Sequence, residues 1–280
     1  MQELRETLPE GWQVQETLDG RYLFYRQYDK YSWSHPDLEL NCELYECPEC
    51  HDSEYEPRYE ALSYTWGSTE HLETVYVCGS QTATKSHETL RITPNLASAL
   101  RHLRYVNRPQ TLWIDAICIN QQNELERNEQ MKRMGSIYTL ANRVVLWLGP
   151  EEEDSNHALS TLNYLGKQIE FSVGLRHRSP DATEPHWFHG AWDLPYDGRT
   201  WSAVTSLLRR SWFSRLWVLQ EVQLANQQTV AQCGNDIISW YLLRRAILAL
   251  DGRRALPEEL AGPLAQARSA ARPKTQLSLP

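Results

Sequence analysis

The sequence has no excess of basic residues, no long apolar run and few cysteines, and each shortage removes a class of protein. Lysine and arginine total 28 against 36 aspartates and glutamates, a formal net charge of −8. No basic run could track a phosphate backbone, so nucleic acid is not an expected partner. No apolar stretch approaches the roughly 20 residues that span a bilayer. The opening MQELRETLPEGW lacks a charged start followed by an apolar core, which points to a soluble, cytoplasmic protein without a membrane span. Six cysteines in 280 residues fall short of a disulfide-stapled scaffold and read as reduced thiols. Gly-x-Ser-x-Gly, His-Glu-x-x-His and phosphate-cradling glycine loops are also missing, which leaves ordinary hydrolase chemistry without support.

What is present is a heavy aromatic load, 11 tryptophans and 14 tyrosines, suited to cores and interaction surfaces alike. The length allows one small module and one ordinary domain. Within residues 6–38, three β-rich stretches at 12–17, 22–27 and 30–34, with Asp19-Gly20 as a turn, predict a three-stranded antiparallel meander. So short a unit needs aromatic anchors at both ends, and Trp12 and Trp33-Ser34-His35-Pro36 supply them. Cys42, Cys47, Cys50 and His51 have spacings loosely like those of a metal site, but no second pair follows. They read as a cysteine-bearing loop, with no metal and no bound cofactor expected.

Residues 40–250 alternate short apolar strands with helical stretches, which predicts an α/β domain with a mostly parallel sheet. Expected strands include 59–64, 112–115, 143–148 and 229–234. Thr93-Pro94 starts one helix, and another from about Glu126 carries Met131, Met134, Ile137, Tyr138 and Ala141 on one stripe. Residues 171–200 read as an irregular insertion, and the Ala-, Arg- and Pro-rich 251–280 as a disordered tail. Ligands of such sheets sit beyond the strand carboxyl ends, where Ser63, Trp66, Gly67, Asp115, Asn120 and Gln121 fall. Trp217 and Glu221 stand four apart on a predicted helix. Facing inward, Glu221 would be a desolvated carboxylate beside a ring, able to stabilise a cation or act as a base; facing outward, it is simply solvated. Cys118 lacks an assignable histidine and reads as a buried small residue.

Leu8-Pro9-x-Gly11-Trp12, Gly20-Arg21-Tyr22 and Trp33-x-x-Pro36 resemble a WW domain, a binder of proline motifs. The resemblance implies that Trp12 packs with Pro36, and that Tyr22 and Trp33 form a groove for a proline-rich peptide. Arg26 stands where that family usually has a histidine, and Tyr25 replaces a usual Asn or Asp.

Three further blocks resemble the heterokaryon incompatibility (HET) domain, a fungal self/non-self recognition and cell-death module. They are Tyr59-Glu-Ala-Leu-Ser-Tyr-Thr-Trp-Gly67, Trp113-Ile-Asp-Ala-Ile-Cys-Ile-Asn-Gln121 continued to Trp147-Leu-Gly149, and Arg210-Ser-Trp-Phe-Ser-Arg-Leu-Trp-Val-Leu-Gln-Glu221. This resemblance implies self-association through the domain and, since such modules often open longer chains, a further regulatory part. The HET family is in turn similar to TIR domains, whose flavodoxin-like sheet carries helices on both faces; Leu62-Ser63-Tyr64, Trp113-Ile114-Asp115 and Trp217-x-x-x-Glu221 match their blocks. That similarity implies NAD as substrate, Glu221 as the carboxylate that supports cleavage of the nicotinamide bond, and Trp217 as a pocket ring. The alternative is a non-enzymatic scaffold whose WW-like module recruits a proline-rich partner.

Overall fold

A computed structural model describes residues 2–26, 30–37, 59–77, 88–172, 175–215, 221–222 and 226–272. Trp217, Cys42, Cys47, Cys50 and His51 lie outside these residues. A short helix α1 (Gln2–Glu6) precedes β1 (Gln13–Glu16), β2 (Tyr22–Arg26) and β3 (Lys30–Ser32), antiparallel in that order. The expected meander forms, around Leu4, Val14 and Phe24, with Leu8, Trp12 and Tyr22 packed against them. Leu4 extends the module back beyond the predicted start at residue 6. Gly20 turns the first hairpin at φ +78°, where a Cβ would be strained.

The larger domain begins with β4 (Glu60–Tyr64), followed by the hairpin β5 (Glu73–Val77) and β6 (Glu88–Ile92). Helix α2 (Pro94–Leu103), strand β7 (Leu112–Trp113) and helices α3 (Asp115–Cys118) and α4 (Glu124–Thr139) lead to β8 (Arg143–Trp147). Then come α5 (Ser155–Gln168), the hairpin β9 (Ile169–Ser172) and β10 (Leu175–Arg178), α6 (Gly198–Leu208) and a 3-10 turn (Ser211–Ser214). Strands β11 (Val230–Cys233) and β12 (Asp236–Ser239) and helices α7 (Trp240–Leu250) and α8 (Glu258–Ala271) close the chain. Among the described residues no helix is long and apolar enough to cross a membrane.

Five strands form the central sheet in the order β12-β11-β8-β4-β7, with only β12 antiparallel. Numbered among themselves from β7, they run 2-1-3-4-5, the flavodoxin-like order with its last strand reversed. The chain starts inside the sheet, steps outward from β4 to β7 and returns across it to β8. The topological switch therefore lies at the carboxyl ends of β4 and β8.

Residue alternation distributes the core. Ala61, Val144 and Leu146 face the helices α5, α6, α7 and α8, whereas Leu62, Tyr64, Val145 and Trp147 face α2. Both faces are covered, which is why β4 and β8 read as nearly continuous apolar runs. Thr93 caps α2 through the Leu96 amide with Pro94 at the first position, as expected.

Four expectations are corrected. Residues 258–271 are not disordered: Leu260, Leu264, Ala267, Ala270 and Ala271 bury one face of α8. Their stripe is mostly alanine, which gives the helix little amphipathic contrast, and the helix carries Pro263; the Glu259 carbonyl that Pro263 cannot pair receives Arg209 at 3.4 Å. The stretch 171–200 is less irregular than expected, because β9 and β10 form a hairpin. The second strand stops at Trp113, and Asp115 instead opens α3. Of the stripe expected at Met131, Met134, Ile137, Tyr138 and Ala141, only Tyr138 and Ala141 are fully buried, Met131 being exposed.

Helices α5 and α7 approach at Gly166, where an added Cβ would meet the Leu242 carbonyl oxygen at 2.1 Å. Backbone cannot yield as a side chain can, so Gly166→Ala is expected to destabilise the domain by about 3 kcal/mol despite its better helix propensity. Urea unfolding of the two proteins measures it.

The small module is bolted to the large domain through its first turn. Asp19 pairs with Arg245 and, at 2.8 Å, with Arg244, both on α7. Arg21 reaches the fully buried Glu170 on β9 at 2.6 Å, and Arg245 lies 3.6 Å from the same carboxylate. Backbone joins the two units as well, the Leu18 amide donating to the Phe171 carbonyl at 2.7 Å.

Candidate functional site

At the switch point, a cleft of about 380 Å³ is lined by Trp66, Asp115, Gln121, Arg127, Arg215 and Glu221, with Ile119, Met131 and Met134 as its apolar wall. Strand β4 ends beside it. Ser63 lies on the face that meets the 3-10 turn, where the buried Trp212 donates its indole N–H to the Ser63 hydroxyl at 2.8 Å. Ser63 in turn donates to Glu221 Oε2. Arg215 completes the group with a bidentate pair, Nη1 to Oε2 at 3.1 Å and Nη2 to Oε1 at 3.0 Å. Such a fork matches a carboxylate in geometry as well as charge.

Glu221 is only 2% exposed. Burial raises its carboxyl above the ordinary carboxylate range, by more than the Arg215 guanidinium and the Ser63 hydroxyl lower it. Asp115 is raised too, again by burial, against hydrogen bonds from Trp66 and the Ala116 amide, the Arg215 charge across the cleft and a hydrogen bond from Tyr64. Its Oδ2 accepts the Trp66 indole N–H at 2.8 Å and its Oδ1 the Ala116 amide at 2.7 Å. Burial and the Asp115 charge raise the Tyr64 hydroxyl, which keeps it a neutral donor.

A raised carboxyl takes up its proton more readily in the fold than in the unfolded chain. The stability Glu221 contributes is therefore full below the unfolded carboxylate range and lost as pH rises through the folded value. The stability difference between wild type and Glu221→Gln is expected to shift in favour of wild type as pH falls from neutral to mildly acidic. Urea unfolding at two pH values reads it, and an unchanged difference would contradict a raised carboxyl.

Of the residues picked from the sequence, Trp66, Asp115, Gln121 and Glu221 converge on the cleft. Ser63 lies behind it as the support of Glu221. Gln121 braces the loop by donating to the Asp115 carbonyl at 3.0 Å. Gly67 takes φ +75° and turns the chain after Trp66. Asn120 is exposed and stabilises its own turn by accepting the Gln122 amide at 3.1 Å. Cys118 is exposed rather than buried, because α3 is a single turn with its outer side in solvent. In the small module, Tyr22 packs on its own apolar cluster, and Trp33 lies under Arg21 and edge-on to His177.

Sequence reasoning missed Arg215, Trp212, Arg127 and the methionine wall. Arg215 carried a signal, a cation inside the aromatic block 210–221, six residues before Glu221.

A family described as "Heterokaryon incompatibility protein (HET)" matches residues 59–221, which hold every cleft residue. "Heterokaryon incompatibility protein 6, OR allele" of Neurospora crassa is 31% identical over 207 residues, 65% of this chain. The matched region makes up 30% of that relative, so the chain spans less than a third of its length. No solved structure matches. With the family's region covering the parallel strands β4, β7 and β8 and the whole cleft, the chain belongs to the heterokaryon incompatibility (HET) family.

Proposed function

We propose that this chain is the effector module of a fungal self/non-self recognition protein, and that its cleft cleaves the nicotinamide glycosidic bond of NAD when the domain self-associates. The observation that carries the reading is Glu221, a desolvated carboxylate on the wall of a cleft at the switch point of a parallel sheet. The strand order and the Ser63, Asp115 and Glu221 positions support the likeness to TIR domains. As the bond between the ribose anomeric carbon and the nicotinamide nitrogen breaks, its electron pair moves onto the ring and positive charge develops on the ribose. A fixed carboxylate beside that carbon stabilises the charge, and water then adds there and loses a proton. Ser63, held by Trp212, orients Glu221 from behind. Arg215 holds both carboxylate oxygens, so substrate entry requires it to turn away; its side chain lines the cleft and has room to do so.

The same pair favours a second reading, in which Glu221 is structural and the chain is a signalling scaffold whose WW-like module recruits a proline-rich partner through Tyr22 and Trp33. Nicotinamide release from NAD by the purified, concentrated protein separates the two. Release supports the glycosidic reading; its absence under conditions that force assembly favours the scaffold.

A further inference from the structure

Asp115 and Glu221 share the cleft but are not balanced alike. Glu221 holds a guanidinium on both oxygens, at 3.0 and 3.1 Å, so that pair is neutral. Asp115 receives only neutral donors, namely the Trp66 indole at 2.8 Å, the Ala116 amide at 2.7 Å and the Tyr64 hydroxyl. Among the described residues no ion pair is made to it; the other cation of the wall, Arg127, sits 3.8 Å from Glu124. Arg215 acts on Asp115 only across the cleft while both its contacts go to Glu221, so two carboxylates share one guanidinium and this end of the cleft is short of positive charge.

The neighbouring ring supplies the rest of the site. Trp66 is 42% exposed and lines the cleft, and its bond to Asp115 fixes the ring beside the carboxylate. A flat cation lying on that ring would meet the aromatic face and the uncompensated charge together. A neutral ring of the same shape gains only the stacking.

We infer that Trp66 and Asp115 form a subsite for a planar monocation, the pyridinium of an oxidised nicotinamide dinucleotide, and that Asp115 selects it over the uncharged dihydro form. The identity of the ligand rests on the glycosidic reading; the preference for a cation does not. During cleavage the ring loses its charge as the ribose gains one. Asp115 therefore acts on the bound ground state, while Glu221 acts on the transition state.

The test is calorimetric titration with nicotinamide and the N-methylnicotinamide cation, which differ chiefly in charge. Wild type is expected to bind the cation at least about tenfold more tightly, and Asp115→Asn to bring the two close to equality. Trp66→Leu provides a second variant should Asp115→Asn fail to fold, and is expected to weaken the cation most. In Glu221→Gln, which permits binding without turnover, NAD should bind more tightly than NADH by a similar factor. If cleavage occurs, Asp115→Asn should raise KM and leave kcat equal or higher. Equal affinity of wild type for the two small ligands, or a preference that survives in the folded variants, overturns the subsite. A cation preference without nicotinamide release keeps the subsite and sinks the glycosidic reading, and release without the preference does the reverse.

Discussion

Glu221→Gln is expected to keep the fold and to lower nicotinamide release by at least about a hundredfold, the loss typical when a group aimed at developing charge is removed. The amide keeps the size and planarity of the carboxylate and can still accept from Arg215, but it brings no negative charge to the anomeric carbon. Retention of the fold follows from the surroundings of Glu221. Burial already disfavours the charged form, so a neutral group at that position carries less desolvation cost. Arg215, losing half its partner, already acts on Asp115 across the cleft and is partly exposed. Circular dichroism and urea unfolding at neutral pH establish the fold, and chromatographic nicotinamide release establishes the activity. Turnover within tenfold of wild type in a folded Glu221→Gln protein would remove Glu221 from the chemistry.

Asp19→Ala should produce the largest loss of stability outside the core, about 3 kcal/mol, or a fall in Tm of roughly 8 °C for a chain of this size. The reason is the charge count around one short turn. Asp19 and Glu170 face Arg21, Arg244 and Arg245, so two acids already serve three guanidiniums. Arg244 and Arg245 are largely buried, with side-chain exposures of 13% and 11%, and cannot recover hydration when Asp19 is lost. Breaking a buried pair on one side is costly because it strands the other charge. Glu170 already faces two guanidiniums, Arg21 and Arg245, and is not free to serve Arg244 as well. Thermal unfolding gives the magnitude. Hydrogen exchange gives the location, since faster exchange should spread over β1 and β2 while β4 and β8 stay protected. Unchanged stability would mean that the module is held mainly by its backbone contact at Phe171.

The two expectations differ in how far the sequence supported them. Glu221 stands out in the sequence because its four-residue spacing from Trp217 predicts a shared helical face. Asp19 stood out only as a turn residue. Its partners lie 225 and 226 positions away, and no local pattern links an Asp-Gly turn to two arginines on a distant helix. Arg215 falls between these cases: close in sequence to Glu221, it was hidden because adjacency on a chain does not tell whether two charges meet.

What the sequence determined by itself was the local and periodic part: the N-terminal meander from its Asp19-Gly20 turn, the apolar strands β4 and β8, the cap of α2, and membership of an α/β class. Those features depend on neighbours a few residues apart, which composition and spacing record directly. Only the tertiary structure decided that α8 is a packed helix, since its alanine stripe is apolar enough to bury only against the close surface of α6 and α7. Tertiary structure likewise decided which charges are neutralised. Parallel pairing brings the ends of β4 and β7 together with residues 215 and 221, so Arg215 pairs directly with Glu221 and reaches Asp115 only across the cleft, and burial turns that difference into chemistry.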